Sequence, residues 1–351
     1  MRGRGVVFTA PEHAELEPVE IDPQDLKPGE ALVRSEYSVI SAGTEGSFYT
    51  NLMPQTPPIY RSRPVIYPAR TGYGHVGEVL AVGPNVTHIK SGDRVLSFSR
   101  HASIVRANAT RFAMPVPRDA DGKRIVFTRM AGVAITALRA SSASIGDKVA
   151  VIGLGQVGNF AAQLFQLAGC DVIAFDVAAR RLDIARECGI HNVHNAASED
   201  PIEVTRKWVG AADDRGGARI VVEAIGRSEL VAQAVEMTGR HGEVVLLGSP
   251  RAPHPGDLTP MLARVHLLAI KMIGALEWTF PIAEETERAR HTIWENYREI
   301  MGWIADGRLK VDPLLTQVLS PEQCQDAYYG LAHHKDDYLG VVFDWTGETV
   351  G

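Results

Sequence analysis

Three glycines and one aspartate carry the clearest chemical signal in this 351-residue sequence. An apolar run over 149–153 leads into the spacing G-x-G-x-x-G, formed by Gly153, Gly155 and Gly158. The first glycine permits a tight turn, the second lets backbone approach a pyrophosphate, and the third allows close helix–strand packing. The next apolar run ends in Asp176, whose carboxylate would accept both ribose hydroxyls of NAD. The stretch predicts a dinucleotide site; the alternative is a glycine turn that caps a helix in a plain α/β domain.

Length and charge restrict the class of protein. A chain of 351 residues with a net charge of −6 predicts two domains and argues against nucleic acid or an anionic membrane as a partner. Its apolar runs fall short of the ~20 residues that span a bilayer, and the N-terminus enters a strand pattern without a signal-peptide core. Cys170, Cys188 and Cys324 lack disulfide or metal spacing. We expect a cytoplasmic protein with reduced cysteines and a small-molecule substrate.

The elements that must position these residues change character near residue 125. Before it, the chain is rich in strands, turns and prolines; after it, strand and helix patterns alternate, which predicts a parallel sheet. Short strand and helix pieces follow Pro313. The fold class predicted is α/β, a doubly wound parallel sheet with a β-rich unit. The patterns predict strands at 148–153, 171–176, 219–224, 243–248 and 269–275, and helices at 156–169, 179–188, 228–239 and 284–305.

Several motifs, taken in order, carry a family resemblance along nearly the whole chain. They are Pro28-Gly-Glu-Ala-Leu-Val-Arg34, Gly43-Thr44-Glu45, Gly77-Glu-Val-Leu-Ala-Val-Gly83, Gly92-Asp-Arg-Val95, the glycine loop, Val221-Val-Glu-Ala-Ile-Gly226 and Gly242-Glu-Val-Val-Leu-Leu-Gly-Ser249. The chain resembles the medium-chain dehydrogenase/reductase superfamily. The resemblance implies a GroES-like catalytic domain at 1–122 and 314–351, and an NAD-binding Rossmann domain at 123–313.

The resemblance also implies which residues would hold the cofactor. We expect NAD in preference to NADP, because a 2′-phosphate would lie against the Asp176 carboxylate; Arg180 and Arg181 lie near enough to oppose that preference. The expected cofactor-binding residues are Gly153, Gly155, Gln156, Val157, Gly158, Asp176, Arg181, Ala224, Ile225, Gly248 and Ser249.

The positions that hold catalytic zinc in the superfamily's alcohol dehydrogenases lack ligands here. They read Ala42 at the first, Tyr73-Gly74 at the second, and Thr128, Arg129 and Met130 around the third. A catalytic zinc needs three nitrogen, sulfur or oxygen ligands with one position left open. The chain therefore resembles the zinc-independent branch that includes bacteriochlorophyllide dehydrogenase-like proteins, and we expect it to be zinc-free.

Without zinc, a side chain must move the substrate's hydroxyl proton or stabilise its oxygen. The resemblance places Thr44 as a relay hydroxyl beside the nicotinamide ribose and points Tyr73 into the cleft, where it would act in acid–base chemistry or merely fill the metal cavity. His101 is a further catalytic candidate, or a structural histidine. Glu45 would orient Tyr73 or His101, or pair with an arginine.

Substrate-binding candidates lie in two other stretches and at one histidine. Tyr49, Arg61 and Arg63 belong to the 47–70 segment, which reads as a functional loop or as a solvated loop or subunit contact. Glu277 and Trp278 follow the last predicted strand of the cofactor domain, where core packing is the alternative for Trp278. His75 is the remaining candidate.

The leading hypothesis is an NAD-dependent oxidoreductase for a secondary alcohol or ketone, with a sugar, cyclitol or related polyol as the favoured substrate class. One alternative is a zinc-free enone or quinone reductase that uses NAD(P)H. The other is a non-catalytic NAD-binding regulator. A homodimer or homotetramer is expected.

Overall fold

The structure is a computed structural model, and it describes residues 1–52, 65–250, 254–283 and 290–351. Its strands are β1 (Arg2–Ala10), β2 (His13–Glu20), β3 (Glu30–Val39), β4 (His75–Val82), β5 (Arg94–Ser97), β6 (Ile104–Asn108), β7 (Ala113–Pro115), β8 (Lys148–Ile152), β9 (Asp171–Asp176), β10 (Val193–Asn195), β11 (Ala218–Glu223), β12 (Thr238–Leu246), β13 (Lys271–Gly274), β14 (Leu315–Leu319) and β15 (Gly340–Asp344). Its helices are α1 (Ala42–Tyr49), α2 (Gly122–Ile125), α3 (Thr128–Ala140), α4 (Gln156–Leu167), α5 (Ala179–Glu187), α6 (Pro201–Val209), α7 (Ser228–Met237), α8 (Thr259–Leu268), α9 (Ile293–Ala305) and α10 (Cys324–His333).

A six-stranded parallel sheet forms the second half of the chain. Its order is β10-β9-β8-β11-β12-β13, so the chain winds outward in both directions from β8 and β11. The central strands are continuous apolar runs because helices cover both faces of such a sheet. This confirms the predicted α/β class, and each of the five predicted strands appears within a few residues of its expected bounds.

The helices were predicted in part from local sequence patterns. α4 begins directly after Gly155, as the glycine spacing predicts. The predicted helix at 284–305 is observed from Ile293, where Thr292 and Glu295 form a capping box, while 284–289 lie outside the described residues. Our sequence analysis omitted α6, although Asp200 caps it and Pro201 opens it in the usual way.

A seven-stranded mixed sheet gathers strands from both ends of the chain. Its order is β14-β15-β3-β4-β5-β7, with β6 paired to β3. The last strands therefore return to the sheet built by the first third of the chain. The domain boundaries near residues 122 and 313 stay a prediction.

Two helices at the junction of the sheets position the candidate site. α1 follows β3 and carries Thr44, and α3 packs against α4 and α9 with Arg129 in its first turn. Within the described residues, no helix combines the length and apolarity required to span a bilayer.

Candidate active site

One cavity of about 550 Å³ brings the glycine loop together with the first catalytic candidates. The N-terminal sequence supplies Ser41, Thr44 and Tyr73 to its wall, and the glycine loop supplies residues 155–158. The remaining lining residues are Ala42, Gly43, Arg129, Met130, Val133, Arg181, Ala224, Ile225, Leu247, Gly248, Ser249, Ala275, Leu276, Glu277, Trp278, Leu331, Lys335, Tyr338 and Leu339.

The three glycines have the geometry that a pyrophosphate site requires. Gly153 has φ of +94°, in the left-handed region that favours glycine. A Cβ on Gly155 would meet nothing within 4 Å, whereas one on Gly158 would lie 1.9 Å from the Gly153 carbonyl oxygen. The loop is thus open on one side and tightly packed on the other, and the amino end of α4 adds partial positive charge. These residues fit a dinucleotide.

Asp176 and Arg181 lie at the end of β9 and on the helix that follows. The Asp176 carboxylate is 5% exposed and accepts hydrogen bonds from the Leu154 N–H at 2.7 Å and the Ala178 N–H at 2.9 Å. Arg181 Nη1 lies 3.7 Å from Asp176 Oδ2 and lines the cavity, which Asp176 itself does not. All the expected cofactor residues except Gly153 and Asp176 line the cavity.

Gln156 has a structural contact that the sequence did not reveal. Its Nε2 donates to the carbonyl oxygens of Ile40, at 3.2 Å, and Leu339, at 2.7 Å. Its side chain therefore joins the start of α4 to the residue that follows β3 and to the residue that precedes β15.

Tyr73 and Thr44 both line the cavity wall. The Tyr73 hydroxyl donates to Ser41 Oγ, a contact that our sequence analysis missed. Burial raises the pKa of Tyr73 above its usual 10.0, while the Arg129 charge and the hydroxyls of Ser41 and Thr44 act in the opposite direction. Tyr73 is therefore a neutral phenol, able to donate a proton, near neutral pH.

Glu45 and His101 form a buried pair away from the cavity. His101 Nε2 lies 2.9 Å from Glu45 Oε2, and its Nδ1 lies 2.7 Å from Ser38 Oγ. Burial alone would raise the Glu45 pKa, but His101 and further hydrogen bonds lower it overall. Of the options left open for Glu45, the structure favours orientation of His101. Because neither side chain lines the cavity, their catalytic assignment has no support from their position.

Two substrate-binding candidates are also buried elsewhere. His75 is inaccessible, contacts Ser35 Oγ and Ser97 Oγ, and has its pKa lowered from 6.5 to about 3 by burial and by His101. Tyr49 stacks on Tyr328 with ring centroids 5.6 Å apart. Neither residue lines the cavity, so their assignment as substrate contacts is not retained. Arg61 and Arg63 lie outside the described residues, whereas Glu277 and Trp278 do line the cavity.

Arg129 is the site residue that sequence reasoning missed. It is 1% exposed, and its Nη1 lies 2.9 Å from Glu277 Oε1 and 2.6 Å from the Tyr297 hydroxyl. Its guanidinium carbon lies 4.5 Å from the Tyr73 ring centroid. The available signal was a charged residue inside an otherwise apolar helix pattern, which we weighed only as a failed metal ligand.

At the second of the zinc-ligand positions, Gly74 leaves space that Arg129 fills. A Cβ on Gly74 would lie 2.9 Å from Arg129 Cγ and 2.8 Å from Val39 Cγ1, so a larger side chain there conflicts with the arginine. In the described part of the chain, no three His, Cys, Asp or Glu side chains converge on a possible metal position.

Comparisons with known proteins find similar dehydrogenases. Residues 157–288 match the family model described as zinc-binding dehydrogenase. D-guloside 3-dehydrogenase of Shigella flexneri is 25% identical, over 96% of this chain and 99% of its own length. The 2-desacetyl-2-hydroxyethyl bacteriochlorophyllide A dehydrogenase of Cereibacter sphaeroides is 24% identical, over 98% and 99%.

A solved structure extends the likeness to the whole fold. A Sinorhizobium meliloti 1021 protein bound to NADP superposes with a TM-score of 0.78 at 19% identity, covering 98% of this chain and 99% of the other. Residues 157–288 thus match the zinc-binding dehydrogenase model, the two dehydrogenases are similar to the chain along nearly its whole length, and the solved structure shows a shared fold.

Proposed function

We propose that this protein is a zinc-independent, NAD-dependent oxidoreductase that transfers hydride between a secondary alcohol or ketone and NAD. The observation that carries the proposal is the shared cavity, in which residues 155–158 face the same space as Thr44 and Tyr73. Bound NAD would supply the hydride chemistry at its nicotinamide. The chain's own residues would hold the substrate and move its proton.

Tyr73 is the proposed proton donor and acceptor. It is a neutral phenol on the cavity wall, and Ser41 fixes its hydroxyl by accepting a hydrogen bond. Thr44 lies on the same wall and is the proposed relay hydroxyl toward the cofactor ribose. A preorganised donor at the reacting oxygen is usually among the largest contributions to catalysis.

Zinc does not fit the described residues, and no step of the proposed reaction uses it. Ala42 and Gly74 offer no side-chain donor, and Arg129 occupies the space beside Gly74. A guanidinium is a permanent cation without a free lone pair, so it repels a metal ion instead of binding it. This supports the zinc-independent branch of the family.

NAD is proposed over NADP because Asp176 ends β9 beside the glycine loop. Its negative charge would oppose a 2′-phosphate, and the hydrogen bonds from Leu154 and Ala178 hold the carboxylate in place. Arg181 partly offsets this charge at 3.7 Å. The NADP seen in one structural neighbour belongs to that protein.

The favoured substrate class is a sugar, cyclitol or related polyol. The similarity to D-guloside 3-dehydrogenase supports a hydroxyl on a ring carbon, and it spans nearly the full length of both chains. Trp278 adds an aromatic face to the cavity, while Ser41, Thr44 and Glu277 offer groups that pair with several hydroxyls.

A homodimer or homotetramer is proposed from the edge of the parallel sheet. β13 is the last strand of the described sheet, and Met272 and Leu276 beside its free edge are each over 40% exposed. Such an edge is readily paired by another chain. A cytoplasmic location is proposed because Cys170, Cys188 and Cys324 are free.

The test is NADH formation from NAD with a panel of secondary alcohols, polyols and glycosides, together with elemental analysis. We expect turnover that survives chelators, in protein without stoichiometric zinc. About one tightly held zinc per chain would contradict the zinc-independent reaction. Turnover restricted to enones or quinones would favour the reductase alternative, and NAD binding without hydride transfer to any compound would favour a regulator.

A further inference from the structure

A buried cation lies directly beside the proposed proton donor. The Arg129 guanidinium carbon is 4.5 Å from the ring centroid of Tyr73, 5.0 Å from that of Phe98 and 5.3 Å from that of Trp278. A cation within about 6 Å of an aromatic ring is attracted by the negative face of that ring. Three aromatic side chains therefore surround the guanidinium where it borders the cavity.

Two polar side chains fix this cation on its other side. Glu277 Oε1 and Oε2 lie 2.9 and 2.8 Å from Arg129 Nη1, and the Tyr297 hydroxyl donates to Glu277 at 2.7 Å. Among the described residues, Arg129 Nε has no hydrogen-bond partner although it is buried. The contacts hold one end of the guanidinium and leave another of its donors unsatisfied.

Two glycines make room for this arrangement. A Cβ on Gly74 would lie 2.9 Å from Arg129 Cγ, and one on Gly132 would lie 2.1 Å from Tyr297 Cε1. Real Cβ atoms do not approach so closely, so a side chain at either position would displace Arg129 or Tyr297. The backbone of this chain is thus adapted to the buried pair at two separate places.

Arg129 stays charged inside the protein. Burial alone would lower the pKa of Arg129, but Glu277 and the neighbouring phenols raise it above its usual 12.5. Burial also raises the pKa of Tyr297 well above 10.0, so that side chain remains a neutral hydroxyl. Arg129 is therefore a permanent positive charge at the Tyr73 ring.

We propose that Arg129, held by Glu277 and Tyr297 against Tyr73, is a positioning residue whose fixed charge makes Tyr73 a better proton donor. The proposal deepens the proposed function and rests on it. A metal ion would supply positive charge directly at a carbonyl oxygen. In this proposal the guanidinium supplies the positive charge instead, and it acts through the tyrosine. Arg129 lines the same cavity, and its guanidinium lies between Glu277 and Tyr297 on one side and the Tyr73 ring on the other.

The chemical step uses the substrate, NADH and the Tyr73 proton, and it needs no further reactant. In the reduction direction the substrate's carbonyl carbon receives a hydride from NADH, and the π electron pair moves onto its oxygen. The Tyr73 O–H bond breaks, its proton joins that oxygen, and NAD⁺ and a tyrosine phenolate remain. The phenolate charge is delocalised over the ring that Arg129 contacts, and solvent returns the proton afterwards.

The other groups around Tyr73 are few. Ser41 accepts its hydrogen bond, Thr44 is a second neutral hydroxyl beside it, and Glu45 contributes a weak opposing negative charge. Arg129 is thus the nearby positive charge on the described elements packed against this ring. An opposite charge within ~4–6 Å shifts a pKa by roughly 1–3 units.

The experiment compares Arg129→Met and Arg129→Lys with a matched control, Arg139→Met. Arg139 lies on the same helix α3 and pairs with Glu299 at 2.7 Å, outside the cavity. Tyrosinate absorbance is titrated in each variant with and without Tyr73→Phe, so that the difference isolates Tyr73. The pH profile of turnover is then measured on a substrate found by the panel.

We expect Arg129→Met to raise the pH of Tyr73 ionisation by at least ~1 unit and to lower neutral-pH turnover by at least ~10-fold. Arg129→Lys should restore most of both values, and Arg139→Met should change neither. A double variant, Arg129→Met with Glu277→Gln, removes both charges; it should shift Tyr73 upward as well, even if the single variant does not fold.

An unshifted Tyr73 titration in the variants that lack Arg129 would overturn the proposal. If Tyr73 does not ionise before alkaline unfolding in wild type, an unchanged pH profile of turnover in Arg129→Met overturns the proposal. The titration needs no substrate, so it decides this inference even when the panel shows no hydride transfer. In that case only the proposed function fails.

Discussion

Two buried pairs of this protein, Arg129 with Glu277 and His101 with Glu45, have similar contacts but lie in different places. Arg129 lies 2.8 Å from Glu277, and His101 lies 2.9 Å from Glu45. In each pair a buried tyrosine donates to the carboxylate at 2.7 Å. The first pair borders the cavity, while the second joins α1 to the segment between β5 and β6, and neither of its residues lines the cavity.

The two pairs differ in how completely their hydrogen bonds are formed. Glu45 accepts from the Ser41 N–H, Thr71 Oγ1 and the Tyr328 hydroxyl besides contacting His101. Its partner histidine contacts Ser38 Oγ through the other ring nitrogen, so both nitrogens are engaged. A fully satisfied buried network rigidifies a fold, as expected for a structural group.

The Arg129 pair is incomplete by comparison. Arg129 Nε is buried without a partner among the described residues, and aromatic rings border the guanidinium. A buried polar group left unsatisfied calls for an explanation, and such groups often belong to functional sites. The contrast supports a structural role for the His101–Glu45 pair and the proposed role at the site for Arg129.

Removing one carboxylate should have the largest effect on stability. In Glu277→Gln the Arg129 charge stays buried without a counter-ion, because arginine does not lose its proton in proteins. Breaking a buried pair in this way costs about 3–5 kcal/mol of unfolding free energy. Urea unfolding followed by tryptophan fluorescence measures it.

The matched variant is Glu45→Gln. Its cost should be smaller, because the neutral form is an ordinary state of a histidine side chain, whereas an arginine keeps its charge. If Glu45→Gln is the more destabilised of the two, the four contacts of Glu45 outweigh the fixed charge of Arg129. Hydrogen bonding to the carboxylate, and not the charge of its partner, would then dominate the stability of these pairs.

The second-largest effect should be on turnover. Tyr73→Phe removes the hydroxyl that donates to Ser41 and keeps the ring that contacts Arg129. Loss of one preorganised donor typically lowers turnover ~100- to 1,000-fold. The unfolding midpoint and the affinity for NAD should change little, since the phenol is expected on the substrate side of the nicotinamide.

His101→Gln provides the contrast for that variant. It should reduce stability through the Glu45 contact and leave more turnover per folded molecule than Tyr73→Phe. Near-full turnover in Tyr73→Phe together with complete loss in His101→Gln would move the proton role to the histidine. Steady-state kinetics, corrected for the folded fraction, distinguish the two results.

The fold was predictable because its signals are local. The glycine spacing and the apolar runs over 148–153 and 171–176 each specify a turn or a buried strand within a few residues. The resemblance in ordered motifs then supplied the β-rich unit. The residues around the glycine loop were found for the same reason, since the loop is one continuous segment.

The side chains around Tyr73 at the candidate site were harder to predict because they are far apart in sequence. Arg129, Glu277 and Tyr297 meet only after α3, the segment after β13 and α9 have packed together. His75 and His101 were candidates beside Tyr73, since the sequence does not show which of these side chains reaches a cavity. Burial separated them, and burial of a polar group depends on the tertiary fold.

The third effect is on the pH dependence of stability, and it concerns His75, which contacts two serines where His101 contacts a carboxylate. The folded-state pKa of His75 is about 3, below the usual 6.5, because the ring is buried near His101. Between these values the unfolded chain binds a proton that the folded protein does not. Stability is therefore full above pH 6.5 and falls as the pH drops toward about 3.

The contribution of one such proton is about 1.4 kcal/mol per pH unit within that window. Urea midpoints measured across the window for wild type and His75→Gln should show a shallower loss in the variant. Ser35 and Ser97 remain available to the Gln amide, so the variant should fold. Equal slopes would mean that other groups, Glu45 among them, account for the whole acid sensitivity.

The smallest effect should come from a third, looser pair at the cofactor end of the cavity. Arg181 lies 3.7 Å from Asp176, beyond direct hydrogen-bond distance, and it lines the cavity. We expect wild type to bind NAD(H) more tightly than NADP(H), because Asp176 opposes the added phosphate.

Arg181→Ala should weaken NADP(H) binding further by up to ~5-fold, since a partly exposed charge contributes up to ~1 kcal/mol. Arg180→Ala is the matched control, because Arg180 pairs with Glu187 outside the cavity. Dissociation constants for both cofactors decide the question. Equal or tighter NADP(H) binding by wild type would show that Arg181, and not Asp176, governs the choice of cofactor.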